Sequence, residues 1–103
     1  MKRIIQNKMY DTKTATKLAS WSNGHYPSDF EHMSQTLYRS PMGQLFIAGE
    51  GGPMSGYARE YGTLRTGGSN IELVNDKEAV EWLADHELHD KLEELFPGHI
   101  EVG

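Results

Sequence analysis

The sequence predicts a single α+β domain over residues 1–103, in which a small, mainly antiparallel sheet packs with three or four helices. A chain of 103 residues has room for one hydrophobic core and no second lobe. A β-hairpin is indicated near residues 34–49, and helical apolar spacing covers the C-terminal third. Strands and helices do not alternate regularly, so a parallel sheet is not expected.

The N-terminal quarter predicts a hairpin followed by a helix. The segment RIIQNKMYDT contains two short strands joined by a turn at residues 7–8. A helix is expected over residues 12–23, with Thr12 or Thr14 as its N-cap. The apolar face of this helix comprises Ala15, Leu18, Ala19 and Ser22.

The strongest local signal is the hairpin over about residues 34–49. QTLYRS and QLFIAG flank the sequence SPMG. Ser40, Pro41 and Gly43 occupy the first, second and fourth places of that sequence, where a type I turn prefers these residue types. The second strand leads directly into the glycine-rich segment GEGGP.

Another helix is expected over residues 53–62, after the glycine-rich segment. Pro53 suits the first helical position, and Gly62 suits a left-handed stop. The predicted apolar stripe comprises Met54, Tyr57, Ala58 and Tyr61.

The C-terminal third predicts a short strand, IELV, followed by acidic helical sequence. Asn75 is the expected N-cap, and Glu78 completes a capping box. Apolar spacing continues to the end of the segment. The pattern leaves open whether one helix covers residues 76–96 or two helices are separated near residues 86–88.

The composition excludes several classes of site. There is no cysteine, which removes disulfides, thiolate zinc sites and cysteine nucleophiles. No segment approaches the roughly 18 consecutive apolar residues of a membrane-spanning helix. The N-terminal MKRIIQNKMYDT lacks the apolar run of a signal peptide. We therefore expect a soluble, cytoplasmic protein without membrane association.

Two interpretations of GEGGP are open: a phosphate-binding loop and a tight corner. Backbone N–H groups of Gly49, Gly51 and Gly52 ahead of a helix would suit an anion. The spacing matches neither a P-loop nor a dinucleotide fingerprint, and Glu50 adds a negative charge. A corner is favoured, with positive φ at Gly51 or Gly52 and close packing against the glycines.

Candidate metal and catalytic motifs are incomplete. His86 and His89 are three residues apart in the acidic segment, but HELH is one residue short of the HExxH zinc motif. GPMSG resembles a nucleophile elbow with its serine one place too late. We expect no metal, no cofactor and no catalytic residues.

Charge is divided unequally along the chain. Residues 1–71 carry eight basic and five acidic residues, whereas residues 72–103 carry two lysines and ten acidic residues, a net charge of −8. A surface of this sign repels nucleic acid and attracts basic protein surfaces. Solubility alone is the alternative role. The predicted partner-binding residues are Glu78, Glu81, Asp85, Asp90, Glu93 and Glu94, with the loop aromatics Tyr26 and Phe30.

Three segments carry a resemblance to known proteins: YDTKTA, SDFEHMSQTLYRSPMGQLFIAGEGGPMSGYA and NDKEAVEWLADH. Over about residues 8–86 the chain resembles a group of small, mostly uncharacterised bacterial and phage proteins, with Gln35 where the group usually has an acid. Such proteins are often carried on prophages and integrative elements, some near anti-CRISPR genes. The resemblance implies a mobile-element setting and assigns no role to individual residues.

Two functions of different classes follow. The first is a non-enzymatic, anti-CRISPR-like inhibitor whose acidic C-terminal helix binds a basic, nucleic-acid-binding surface of a host effector, without contacting nucleic acid itself. The second is an anion- or nucleotide-binding module or enzyme that uses the turn at residues 49–52, with Arg39 or Arg59 as charge partner. Neither the CRISPR type nor the oligomeric state follows from the sequence.

Overall fold

The protein is an α+β structure in which antiparallel strands outnumber helices. The computed structural model describes residues 1–101 and 103. The strands are β1 (Lys2–Ile5), β2 (Lys8–Asp11), β3 (Thr16–Ser22), β4 (Met33–Arg39), β5 (Leu45–Gly51), β6 (Arg59–Tyr61), β7 (Leu64–Thr66) and β8 (Gly68–Leu73), and the helices are α1 (Asp76–Asp85) and α2 (His89–Leu95), followed by a 3₁₀ turn at Pro97–His99. The predicted class is confirmed. The prediction of three or four helices is wrong, because the described residues form two α-helices.

The central sheet has four antiparallel strands in the order β3-β4-β5-β8. β4 and β5 form the hairpin predicted near residues 34–49, with Leu37 opposite Ile47. The connecting turn closes as Gly43 N donates to the Ser40 carbonyl at 2.9 Å. Gly43 has a φ of 93°, a left-handed conformation that glycine adopts without a steric penalty.

The N-terminal hairpin is confirmed, although its turn lies one residue earlier than predicted. Gln6 and Asn7 have φ values of 52° and 65°. Two successive residues with positive φ form the kind of tight turn that matches the right-handed twist of paired strands. The hairpin lies against the central sheet, where Tyr10 packs edge-on to Phe46 with ring centroids 5.7 Å apart.

The central sheet buries apolar side chains on both faces. On one face the helices cover a core that includes Leu37, Ile47 and Val74. On the opposite face the β1–β2 hairpin covers Phe46 and Ile71. Successive residues of a strand point to opposite faces, so β5 supplies a buried residue to each core.

The prediction of a helix over residues 12–23 is wrong, because most of this segment forms strand β3. The register of β3 with β4 shifts between Lys17 and Ala19, which marks a β-bulge at Leu18. The bulge lets both Leu18 and Ala19 pack against the helix-side core. Two adjacent core residues imitate the apolar doublet of an amphipathic helix, and this explains the misleading spacing.

The helix predicted over residues 53–62 is also wrong. The chain makes irregular turns and then enters the β6–β7 hairpin. Gly52 N and Met54 N donate to the carbonyls of His32 and Phe30, at 2.8 Å each. These bonds tie the segment to the loop before β4 and give two of its backbone N–H groups tertiary acceptors.

The C-terminal segment forms two helices separated at residues 86–88. Asn75 Oδ1 accepts from Glu78 N at 2.8 Å, and Glu78 Oε1 accepts from Asn75 N at 3.0 Å, as the predicted capping box requires. Beyond α1, Glu87 has a φ of 57°, which interrupts helical geometry. Within residues 1–101, neither α1 nor α2 has the length and apolar character that a membrane crossing requires.

Candidate functional site

The two helices present an acidic surface to solvent. We define the acidic helical surface as Glu78, Glu81 and Asp85 of α1 with Asp90, Glu93 and Glu94 of α2, all exposed. Steps of three or four residues place side chains on one side of a helix, so each group forms a stripe. Within the described chain the surface makes one ion pair, in which Lys91 Nζ lies 3.3 Å from Glu94 Oε2.

The two predicted aromatics lie in the loop between β3 and β4. Tyr26 and Phe30 expose 82% and 63% of their surfaces. Trp21, just before the loop, stacks on His86, just after α1, with ring centroids 4.0 Å apart. This contact places the C-terminal end of α1, including Asp85, at the end of the sheet from which the loop leaves.

Polar side chains hold this loop in place. Asn23 Nδ2 donates to the Glu31 carbonyl at 2.7 Å, and Asn23 Oδ1 accepts from Met33 N at 3.2 Å. Glu31 N donates to Asp29 Oδ1 at 2.8 Å, and this bond lowers the pKa of Asp29, with a smaller contribution from His25. A loop with internal hydrogen bonds loses less conformational entropy when its aromatics bind a partner.

The two helical histidines have different surroundings. His86 packs between Trp21 and Trp82, and this burial lowers its pKa, opposed by the charge of Asp85. His89 is exposed and begins α2. The pair therefore does not share a helix. The described residues contain no group of three His, Cys, Asp or Glu side chains arranged to hold a metal ion.

The glycines of the candidate anion site lie where β5 meets neighbouring segments. A Cβ on Gly49 would collide with the ring of Tyr57, one on Gly51 with Ser55, and one on Gly52 with loop backbone. None of the three has a positive φ, so the prediction of positive φ at Gly51 or Gly52 is wrong. The helix that the alternative, anion-binding interpretation required at residues 53–62 is absent, and the Gly52 N–H already donates to a loop carbonyl.

A series of hydrogen-bonded side chains connects α1 to this glycine segment. Trp82 Nε1 donates to Gln35 Oε1 at 2.9 Å, and Gln35 Nε2 donates to Tyr57 Oη at 2.8 Å. The ring of Tyr57 is the group that lies against Gly49. Gln35 therefore joins the helix-side core to the segment that carries Tyr57, a role that the sequence does not signal.

A basic cluster that no sequence pattern indicates lies at the outer edge of β8. It consists of Arg3 and Arg59, and we call it the arginine edge. Arg3 Nη1 donates to Asn70 Oδ1 at 2.9 Å and to the Ile71 carbonyl at 2.7 Å. Arg59 Nη2 donates to the Ser69 carbonyl at 3.0 Å. The arginines come from β1 and β6, and only folding brings them together. The sequence signal was limited to Arg59 as a charge partner for the glycine turn.

Comparisons with known proteins add no family assignment. No protein-family model, curated protein or solved structure matches this chain. The resemblance to phage and mobile-element proteins therefore stays a prediction.

Proposed function

We propose that this protein is a non-enzymatic inhibitor that binds a basic, nucleic-acid-binding surface of a bacterial effector protein, such as a CRISPR-Cas effector in the host cytoplasm. The acidic helical surface carries the proposal, because its six carboxylates are exposed and, among residues 1–101 and 103, share a single ion pair. A concentrated negative charge competes with the phosphate backbone for a basic groove. The protein itself would then repel nucleic acid.

Charge alone gives rapid association but limited affinity. The loop aromatics supply what the carboxylates lack, since Tyr26 and Phe30 offer apolar area that a partner could bury. The contact between Trp21 and His86 keeps the loop and the end of α1 at the same end of the sheet. A partner groove could therefore contact Asp85 and the aromatics together.

The test is binding of the purified protein to a panel of purified CRISPR-Cas effectors, each with and without its guide RNA. We expect capture of at least one effector, weakened as salt rises from about 50 to about 500 mM because exposed charges become screened. Charge reversal in E81K/D85K/E93K should weaken that binding by at least about tenfold at low salt.

The matched control is E60K, which reverses an exposed carboxylate on β6, outside the acidic helical surface. It should change affinity by less than about twofold, whereas E81K alone should have a clear effect. The substitution pair Y26A/F30A should weaken binding more than Y61A/L64A, which removes the exposed apolar pair of the β6–β7 hairpin. If E81K/D85K/E93K binds every captured effector as tightly as the unmodified protein, the proposal is wrong.

A further inference from the structure

Two cavities meet at the arginine edge. The larger has a volume of about 660 Å³ and is lined by both arginines together with Tyr57 and Glu72. Six of its ten lining residues are exposed, so it is an open groove whose volume is comparable with that of small-molecule pockets. The ring of Tyr57 is fixed there by its contact with Gly49 and by the bond to its hydroxyl.

The smaller cavity has a volume of about 350 Å³ and shares both arginines. Lys2, Ser69 and Asn70 also line it, and no carboxylate does. The cavity therefore concentrates positive charge and hydrogen-bond donors, in a chain whose formal net charge is −5. A small anion would lie beside Arg3 and Arg59, with the Glu72 carboxylate in the adjoining larger cavity.

The two guanidinium groups are held in place but not neutralised. Their bonds to β8 engage Nη1 of Arg3 and Nη2 of Arg59, and the other guanidinium nitrogens of each have no protein acceptor in the described structure. Neither arginine forms an ion pair with a described residue. A guanidinium fixed by backbone carbonyls and left with free donors is preorganised for an anion.

We infer that the arginine edge binds an organic phosphate of about the size of a nucleotide. The planar fork of a guanidinium matches the oxygens of a phosphate, which the smaller cavity accommodates. The remainder of the ligand occupies the larger cavity, where Glu72 accepts a hydrogen bond from a hydroxyl or amino group and the Tyr57 ring offers a flat apolar surface. This inference is independent of the acidic helical surface.

The experiment is an NMR titration of the ¹⁵N-labelled full chain with adenosine 5′-monophosphate, inorganic phosphate and adenosine. We expect saturable shifts of the Arg59, Ser69 and Asn70 amides with the nucleotide, weaker binding of inorganic phosphate at the same residues, and no saturation with adenosine. If neither adenosine 5′-monophosphate nor inorganic phosphate saturates the shifts at about 10 mM, the inference is wrong. A fixed pair of charged donors should bind a phosphate with a Kd below about 10 mM.

Two variants separate a built site from general charge attraction. R59Q should weaken nucleotide binding by at least about tenfold, and R39Q, which removes the same charge from an exposed position on β4, by less than about twofold. Equal losses in the two variants would overturn the inference. R59K keeps the charge but not the fork, so it should also bind more weakly than R39Q, and it serves as the test if R59Q does not fold.

Discussion

The acidic helical surface and the arginine edge carry opposite charge, and their side chains are held in different ways. Of the six helical carboxylates, only Glu94 has an ion-pair partner among the described residues, an exposed lysine. At the arginine edge, Arg3 and Arg59 both donate to the backbone of β8. Exposed charges act at a distance and are weakened by salt, whereas guanidinium groups held by hydrogen bonds can select the shape of a ligand.

The different contacts of the two surfaces indicate which side chains should tolerate substitution without loss of stability. Apart from Glu78, which completes the capping box of α1, the helical carboxylates have few contacts, so replacing them should affect binding more than folding. Tyr57 and Gln35 line the larger cavity beside the arginine edge, and Gly49 lies against the Tyr57 ring. Changes in these three residues should destabilise the fold as well as alter that cavity.

The largest effect is expected from G49A. The added methyl group collides with the ring of Tyr57, which must leave its place and break its bond to Gln35. We expect a loss of about 2–3 kcal/mol in the free energy of unfolding, measured by urea denaturation. The control is G56A, where the nearest atom to a new Cβ is Met33 Sδ at 4.0 Å and φ is not positive. Equal stability of the two variants would contradict this account of Gly49.

A smaller effect is expected from Q35L, which cuts the connection between α1 and Tyr57. The substitution leaves Trp82 Nε1 without its acceptor, at a cost of about 1–2 kcal/mol in unfolding free energy. Q35E keeps an acceptor for the indole and loses only the donor to Tyr57, so it should be less destabilising than Q35L. If Q35E proved the more damaging of the two, the bond to Trp82 would not be the dominant contribution.

The smallest effect concerns pH and His86, which follows α1 and packs between two aromatic rings. Because burial lowers the pKa of His86 in the folded state, protonation favours the unfolded chain. The contribution of neutral His86 to the free energy of unfolding is complete above the ordinary histidine pKa of 6.5. It is lost as the pH falls from there through the folded-state pKa of His86. Urea midpoints should therefore decrease between about pH 7.5 and about pH 5.5.

The matched pair for this prediction is H86Q and H89Q. H86Q should reduce the decrease in the urea midpoint, because it removes the titrating group that lies between Trp21 and Trp82. H89Q alters an exposed histidine at the start of α2 and should leave the decrease unchanged. A decrease of the same size in all three proteins would assign the pH dependence to other groups.

Local signals predicted those elements whose residues make mainly local contacts. The type I turn residues of the central hairpin and the capping box at Asn75 are complete within a few positions, and both are present in the structure. The helix predictions for residues 12–23 and 53–62 failed because contacts with residues distant in the sequence decide the conformation of these segments. Pairing with β4 makes the first a bulged strand, while the second is tied to the loop before β4 and its end pairs with β7.

A candidate surface can be predicted from the sequence when its residues lie in one segment of the chain. A run of acidic residues stays exposed wherever its helices pack, so the acidic helical surface was visible in the sequence. The arginine edge requires Arg3 and Arg59 to meet across β8, and no spacing rule connects residues from separate hairpins. The partnership of Gln35, Tyr57 and Trp82 is invisible for the same reason.

The bulge at Leu18 has a consequence for how copies of the chain behave at high concentration. β3 and β8 are the two outer strands of the central sheet, and a flat outer strand is a template on which another chain can add. The irregular register beside Lys17 makes β3 a poor partner for an added strand. On β8, Arg3 and Arg59 already donate hydrogen bonds to outer carbonyl groups. Aggregation by strand addition is thereby opposed at both edges, by backbone shape at one and by hydrogen-bond capping at the other.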